Sequence, residues 1–346
     1  MKHYCKTRSI FPWFQVLFLT LWLVFPVRAA TSPLKIVVSS PGPRNISYLP
    51  VDLIPRIGAD REEGAQVVLL PVGGGSIAVQ ELISRNADFV VVGMPAQLSA
   101  RAAGSDIVAI AAVDNAPLFV LMVREDLKGK IKTIADLRGK VVGVNTGTVS
   151  SKTTSQQLLE LMLTTHKVPV KSVRIVAAGQ SWDEQASLLR SGAVDAIMGD
   201  EPFASRLQAE KKAFFLANLG DPERAPKFPG AQFLHAALAT RGEIIAHDPA
   251  KVEIMVKILR RSLRWIARHT PAELVDKLDI REPAERSALL SCLRKYKKLY
   301  NPDGQFLRRQ LQETESFFRA ASPGDPVALG LRIESMVDDQ WVGTRQ

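Results

Sequence analysis

Short apolar runs rich in β-branched residues alternate with helical segments along most of this chain. The runs at 35–40, 66–72 and 87–93 each end in small or turn-forming residues, and a segment with helical character follows each of them. Strands that are separated by helices are typically connected as parallel crossovers, with helices covering both faces of the sheet. The alternation therefore predicts an α/β fold.

The predicted strands fall into two groups, and 346 residues are enough for two domains of ordinary size. The first sheet is expected to contain the strands at 35–40, 66–72, 87–93, 107–113 and 118–123. A second unit begins near Arg124, with strands at 140–144, 173–177, 193–198 and 214–219. A long amphipathic helix is predicted at 249–269, and the chain from Pro271 onward has the pattern of helices interrupted by prolines.

The first 29 residues have the features of a cleaved secretory signal peptide. Lys2, Lys6 and Arg8 precede an apolar run at 10–25, and Val27 and Ala29 occupy the positions that a signal peptidase recognises. The run is short for a membrane span, which needs about 20 residues, although an uncleaved anchor is the alternative. Cleavage after Ala29 would remove four positive charges and reduce the formal net charge from +10 to +6. This modest excess does not indicate nucleic-acid binding.

The cysteine content bears on where in the cell the protein resides. Cys5 would leave with the signal peptide, and Cys292 alone cannot form a disulfide framework. No cysteine directly follows the apolar run, which argues against a lipid-anchored lipoprotein. An exported protein without an anchor needs an outer barrier to retain it, so the periplasm of a Gram-negative cell is the expected location.

Three junctions share one pattern, in which a predicted strand ends in small or polar residues and a helix follows. They lie at 40–48, 73–76 and 146–150. The first backbone N–H groups of a helix lack partners within the helix, and the helix dipole adds partial positive charge there. Several such ends around one crevice can hold a polar headgroup without a catalytic residue. Taken singly, each junction is better explained as a simple helix cap or tight turn, and it is the three together that favour a binding site.

Catalytic and metal-binding patterns are weak in this sequence. Gly74–Ser76 approaches the nucleophile elbow of hydrolases, but Ala78 stands where that motif has a second glycine. A hydrolase would also need one of the four downstream histidines, namely His166, His235, His247 or His269. The sequence contains neither the H-E-x-x-H motif nor a phosphate-binding P-loop. We therefore predict no catalytic residue, no metal and no cofactor, with an enzyme acting through Ser76 as the alternative.

Several segments, in the right order, resemble one known family. They are Tyr48-Leu-Pro-Val-Asp-Leu-Ile54, Val72-Gly-Gly-Gly-Ser76, Ala87-Asp-Phe-Val-Val-Val-Gly93, Ile134-Ala-Asp-Leu-Arg-Gly-Lys-Val-Val-Gly-Val144, Gly192-Ala-Val-Asp-Ala-Ile-Met-Gly-Asp-Glu-Pro-Phe203 and Leu238-Ala-Thr-Arg-Gly-Glu-Ile-Ile245. The pattern is similar to that of solute-binding proteins of the nitrate/sulfonate/taurine type, also called the NMT1/THI5-like family. The resemblance covers roughly residues 35–270.

This resemblance implies a type II periplasmic-binding-protein fold, with two doubly wound α/β domains joined by two hinge crossovers near Val123 and Asp221. Domain I would comprise residues 34–122 and the returning segment 222–346 with its helical tail, and domain II residues 123–221. A small polar or anionic organic ligand would bind between the domains. The implied partners are the permease and ATPase of an ABC importer, and the protein is expected to be a monomer. A ligand sensor for a membrane receptor is a second reading of the same fold.

The family resemblance also suggests ligand-binding residues. The candidates are Asn45, Ser47, Tyr48, Gly74, Gly75, Ser76, Met94, Pro95, Thr146, Gly147, Thr148, Ser150, Asp200 and Glu201. Trp182 is added because it follows Gly179-Gln180-Ser181 and could stack on a ligand, although a structural role suits it equally. The acidic pair Asp200 and Glu201 does not suit a bare anion, so an amine, a zwitterion or a neutral heterocycle remains open, as does a purely structural role before Pro202.

The family has enzymatic relatives, a pyrimidine-forming synthase and desulfinases, that depend on cysteine chemistry. The cysteine-rich motif of the synthase is absent here, and Cys292 lies in the helical tail, outside every segment assigned to the cleft. The resemblance therefore implies a binding protein, with a hydrolase or desulfinase-like enzyme as the alternative.

Overall fold

The computed structural model describes residues 1–3, 32–149, 152–221, 225–296 and 298–346. Pro33–Gln346 form one compact unit, to which the description below refers. The predicted signal peptide lies almost entirely outside the described residues. Within the described part of the chain, no helix is both long and apolar enough to cross a membrane.

The first sheet and its helices form what we call lobe I. In chain order, its elements before the first crossover are β1 (Leu34–Ser40), α1 (Leu49–Ile57), β2 (Ala65–Pro71), α2 (Gly75–Ile83), β3 (Phe89–Gly93), α3 (Met94–Ala102) and β4 (Val108–Ala112). A later strand, β10 (Ala236–Thr240), completes a sheet of order β2-β1-β3-β10-β4. β1 is parallel to β2 and β3, whereas β10 is antiparallel to both its neighbours.

The second sheet and its helices form lobe II. Its elements are β5 (Phe119–Arg124), β6 (Val141–Val144), α4 (Thr154–Thr165), β7 (Arg174–Ala177), α5 (Trp182–Ser191), β8 (Ala196–Asp200), α6 (Phe203–Ala209) and β9 (Ala213–Asn218). The strand order is β7-β6-β8-β5-β9, with β5 antiparallel to β8 and β9. The alternation seen in the sequence therefore corresponds to two separate mixed sheets, each with its own apolar core.

The prediction that the strand at 118–123 completes the first sheet is wrong. This segment is β5, which lies in the second sheet between β8 and β9. The hydrophobic pattern of a buried strand is the same in either sheet, so the pattern could not show that the short segment after β4 changes lobes. The chain crosses between the lobes twice, at 113–118 and at 219–235. Two crossovers are expected of the fold, and Asp221 lies in the second. Val123, however, lies within β5, so the boundary predicted after residue 122 is too late in the chain.

The remaining chain adds helices to lobe I and forms the tail. These elements are α7 (Gly242–His247), α8 (Pro249–Arg268), α9 (Pro271–Lys277), α10 (Pro283–Lys295), β11 (Phe306–Leu307), α11 (Arg308–Ala321), α12 (Pro326–Gly330) and β12 (Thr344–Arg345). α8 begins where the sequence predicts, because the Asp248 side chain accepts from the Lys251 nitrogen and Pro249 occupies the first turn. Its buried stripe packs against α1 and the lobe I core.

Candidate functional site

A small cavity lies between the two lobes, where strands from both sheets end and helices begin. Its volume is about 20 Å³, close to the space that one water molecule occupies. Its walls come from both lobes and consist of Pro41, Asn45, Tyr48, Gly75, Val92, Gly93, Phe119, Asn145, Thr153, Thr154, Ser155, Gln180, Asp200 and His235. The structure therefore has a nearly closed cleft, and a larger ligand requires the lobes to separate.

The three predicted junctions meet at this cleft. The backbone nitrogen of Gly147, in lobe II, donates a 2.5 Å hydrogen bond to the carbonyl oxygen of Gly73, in lobe I. A Cβ atom on Gly74 would lie only 2.6 Å from the Thr146 hydroxyl, so the two loops approach as closely as a glycine allows. The loop after β1 supplies Asn45 to the cavity wall.

Asp200 is the central polar group of the cavity. It ends β8, is 5% exposed, and accepts hydrogen bonds from the side-chain amides of Asn45 in lobe I and Asn145 in lobe II. Burial raises the pKa of the Asp200 carboxyl to about 7, while the nearby His235 and the Asn45 hydrogen bond act in the opposite direction. Burial, together with the charge of Asp200, also raises the pKa of Tyr48 well above its usual value.

His235 lies beside Asp200 at the end of the second crossover and is 1% exposed. Its Nδ1 atom is 3.1 Å from the Ser47 hydroxyl and 3.2 Å from a carboxylate oxygen of Asp114. The ring of Phe119 meets the imidazole edge-on at 4.8 Å, and that of Tyr48 is tilted toward it at 5.9 Å. The histidine is therefore fixed by Ser47 and Asp114 on one side and by aromatic rings around it.

Four of the residues predicted for the site line the cavity: Asn45, Tyr48, Gly75 and Asp200. Ser47 does not line the cavity but contacts His235, which does. Gly74, Thr146 and Gly147 form the close contact between the two loops. Thr148 continues the lobe II loop, and its backbone nitrogen donates a 3.3 Å hydrogen bond to the Thr146 hydroxyl. Ser150 lies outside the described residues.

The structure places the other candidates away from the cavity wall. Met94 is buried in the lobe I core, and the Pro95 carbonyl accepts a hydrogen bond from Ser99 within α3. Ser76 follows Gly75 into α2, and its hydroxyl is buried without a hydrogen-bond partner among the described residues. Trp182 packs under the guanidinium of Arg206, whose central carbon lies 3.8 Å from the ring centroid.

Glu201 also points away from the cavity, although it is adjacent to Asp200. Its carboxylate accepts from the backbone nitrogen and the hydroxyl of Ser205, each at 2.9 Å, and the Cys292 thiol lies 3.5 Å away. Burial raises the pKa of the Glu201 carboxyl. Asp200 is the last residue of β8 and Glu201 begins the turn that follows, and the two adjacent carboxylates have different partners.

Sequence reasoning missed ten of the lining residues. They are Pro41, Val92, Gly93, Phe119, Asn145, Thr153, Thr154, Ser155, Gln180 and His235. A signal existed for the start of α4, because Thr153 is its N-cap and accepts from the Gln156 nitrogen, as Ser and Thr commonly do. No local signal marked His235, which the fold brings to the cleft from an apolar stretch.

Acidic side chains outnumber basic ones around the cavity. None of the described residues that line it is a lysine or an arginine, whereas Asp200 lines it and Asp114 lies directly behind His235. Among the described residues, no cluster of histidine, cysteine, aspartate or glutamate is suited to hold a metal ion. Amides, hydroxyls, aromatic rings and one buried carboxylate are therefore the groups that can contact a ligand.

Comparison with known proteins agrees with this architecture. A protein of Bordetella bronchiseptica RB50 has a similar structure, with a TM-score of 0.80, 20% identity, and coverage of 90% of this chain and 96% of that chain. The alkanesulfonate-binding protein SsuA from Xanthomonas axonopodis pv. citri, bound to MOPS, gives a TM-score of 0.69 at 16% identity, with 89% and 99% coverage. The periplasmic nitrate-binding protein NrtA from Synechocystis PCC 6803 gives a TM-score of 0.58 at 13% identity, with 73% and 69% coverage.

These likenesses confirm the expected two-domain periplasmic-binding-protein fold. No match is found among curated protein sequences. The family described as NMT1/THI5-like matches residues 61–273, more than half of the chain, and this range includes most of both lobes. The chain therefore belongs to the NMT1/THI5-like family.

Proposed function

We propose that this protein is the solute-binding component of an ABC importer and that it captures a small organic ligand in the cleft between its lobes. The similar structures include proteins described as binding alkanesulfonates and nitrate and as the ligand-binding component of an ABC-type import system. Delivery would be to a permease and ATPase, and the protein would act as a monomer in the periplasm after loss of residues 1–29. The two lobes would move relative to each other, with the crossovers at 113–118 and 219–235 as the hinges.

The observation that carries this proposal is the hydrogen-bond connection across the cavity. Asn45 reaches Asp200 from the opposite lobe, and Gly147 bonds to Gly73 nearby. Groups on both lobes therefore meet only when the cleft is closed, and a ligand that contacts both walls would stabilise closure. Closing around a ligand by hinge motion is a common device of two-domain binding proteins.

The geometry offers little support for hydrolysis through Ser76. His235 is held by Ser47 and Asp114, and both approach the same nitrogen, Nδ1. In a catalytic triad, one imidazole nitrogen instead takes the proton of the serine, and the other donates a hydrogen bond to the carboxylate, which orients the ring. The other three candidate histidines, His166, His247 and His269, each bond through Nδ1 to the carbonyl oxygen four residues earlier in their own helices.

A ligand screen tests the proposal. Purified protein would be mixed with amines, amino acids, heterocycles, sulfonates and nitrate, and its thermal unfolding recorded. A true ligand at 100 times its Kd should stabilise the folded state by about 2.7 kcal/mol. Calorimetry would then give the affinity of each hit, and chromatography would show whether the compound is recovered unchanged.

Two variants locate the binding site. Asn45→Ala removes an amide from the cavity wall and should weaken binding at least tenfold, whereas Trp182→Ala alters an aromatic residue outside the cavity and should leave affinity within twofold. Stabilisation by no compound, or conversion of the bound compound into a product, would contradict the proposed function.

A further inference from the structure

We propose that the cleft selects ligands that carry a cationic, N–H-donating nitrogen, such as an amine or an amidine, and that Asp200 is the residue that binds this group. This inference rests on the proposed function, because it concerns the same cavity. It goes beyond that function because it predicts that the ligand is positively charged, and this prediction can be tested separately.

The first step of the argument is that Asp200 is buried without a lysine or arginine partner. A buried carboxylate is normally paired with a cation or a metal, because removing its charge from water is costly. Here its hydrogen bonds from described side chains come from two neutral amides, Asn45 and Asn145, and both go to the same oxygen, Oδ2. No lysine or arginine is among the described cavity-lining residues.

The neighbouring titratable groups do not balance Asp200 fully. His235 lowers the pKa of Asp200, but its Nδ1 atom is 3.2 Å from the fully buried Asp114, so one imidazole is shared by two carboxylates. Glu201, the next residue along the chain, is also fully buried and adds negative charge. Tyr48 is a phenol whose ionisation burial disfavours. A positively charged ligand group would therefore provide the counter-ion that the protein lacks.

The second step concerns the walls around Asp200. The rings of Tyr48 and Phe119 line the cavity, and both pack against the imidazole of His235. Aromatic faces attract cations electrostatically, and this attraction strengthens when water is excluded. A carboxylate flanked by such rings suits an ammonium or amidinium group. A bare anion in the same place would face a like charge in a poorly hydrated site.

The test uses pairs of small molecules that have nearly the same shape and opposite charge. Guanidinium and nitrate form one pair, acetamidinium and acetate a second, and benzamidinium and benzoate a third. Calorimetry at pH 7.5 with the wild-type protein is expected to show at least tenfold tighter binding of the cation in the pair whose size fits. Tighter binding of the anions, or equal binding within the fitting pair, would overturn the inference.

Two variants show whether Asp200 causes the preference. Asp200→Asn keeps an acceptor for the Asn45 and Asn145 amides but removes the charge, and it should reduce the cation's affinity at least tenfold. Glu201→Gln is the matched control, because this adjacent buried carboxylate bonds to Ser205 outside the cavity, and the cation preference should persist. An unchanged preference in a folded Asp200→Asn protein would overturn the assignment.

The wild-type measurement decides the question even if Asp200→Asn does not fold. If only neutral or anionic solutes from the wider screen bind, the charge selection is refuted while the proposed solute-binding function stands. If no solute of any kind binds, the proposed function itself fails.

Discussion

The hydroxyl of Thr314, in tail helix α11, accepts a 2.9 Å hydrogen bond from the backbone nitrogen of Leu234, in the second crossover. The same helix contacts the first crossover, where the Gln310 amide donates to the Asn115 carbonyl oxygen. Phe317 also stacks on Phe233 with the ring centroids 4.5 Å apart. The tail is thus bonded to both segments that connect the lobes, which gives this part of the chain, beyond the family match at 61–273, a structural role at the hinge.

Replacing Thr314 with valine should therefore destabilise the protein. Valine has almost the same shape, but it leaves the fully buried Leu234 nitrogen without an acceptor, and this costs about 1–3 kcal/mol. Urea unfolding of the variant measures the loss. Ser316→Ala is the control on the same helix, because its exposed hydroxyl bonds only to the Gln312 carbonyl oxygen, and its removal should cost less than about 0.5 kcal/mol. Equal losses in both variants would contradict the role of Thr314.

The Cys292 thiol should be unreactive in the folded protein. It is 1% exposed and lies beside the Glu201 carboxylate, and both burial and this charge raise its pKa, so the reactive thiolate is scarce. A thiol reagent should modify the native protein only at the rate at which the protein unfolds locally and exposes Cys292. In denaturant, exported protein should show one thiol per chain if the segment containing Cys5 has been cleaved. Two thiols would contradict cleavage, and rapid reaction of the native protein would contradict the burial of Cys292.

Local sequence patterns predicted much of this fold because they report local physics. β-branched runs such as the one that forms β1 indicate strands wherever they occur, and caps such as Asp248 locate helix starts. The sheet to which β5 belongs depends instead on pairing with β8 and β9, which lie more than 70 residues further along the chain. Local pattern therefore identified β5 as a strand but placed it in the wrong sheet.

Some residues of the candidate site could likewise be predicted from the local sequence, and others could not. Asn45 and Gly75 could be predicted because they stand at strand-to-helix junctions, where backbone N–H groups are free. His235 could not, because its approach to Asp114 and Ser47 depends on the path of the second crossover. The different orientations of Asp200 and Glu201 could not be predicted from the period-two alternation of β8, because this strand ends at Asp200.

The stability of the protein should fall as the pH rises through the titration of Asp200. Its folded-state pKa, about 7, lies above the ordinary value of 3.8, so the folded state binds this proton more tightly than the unfolded state does. Stability from this group is therefore complete below about pH 4 and is lost progressively up to about pH 7. The shift corresponds to roughly 4 kcal/mol.

Asp200→Asn should remove this dependence. The variant is expected to match the wild-type protein near pH 4 and to be more stable above pH 7, as measured by urea unfolding at a series of pH values. Asp52→Asn provides a control with a different midpoint, because burial raises the pKa of Asp52 only to about 6. The stability of Asp52→Asn relative to the wild type should stop increasing near pH 6. A wild-type stability that rises between pH 5 and pH 7 relative to Asp200→Asn would contradict the assignment.

The contact between Gly147 and Gly73 should limit how closely the lobes approach. A Cβ atom on Gly147 would lie 2.9 Å from the Gly73 carbonyl oxygen, closer than real Cβ contacts allow, so Gly147→Ala must push the two loops apart. Because the two loops belong to different lobes, the expected result is a smaller closed population and weaker ligand binding, with little change in the stability of either lobe. Affinity falls in proportion to the fraction of closed molecules.

Calorimetry and small-angle X-ray scattering measure these two effects, and we expect at least tenfold weaker binding together with a larger radius of gyration at saturating ligand. Gly129→Ala is the matched control, because a Cβ atom there has no heavy atom within 4 Å. Its affinity and scattering should equal those of the wild type. Unchanged affinity in Gly147→Ala would mean that ligand binding does not depend on this contact.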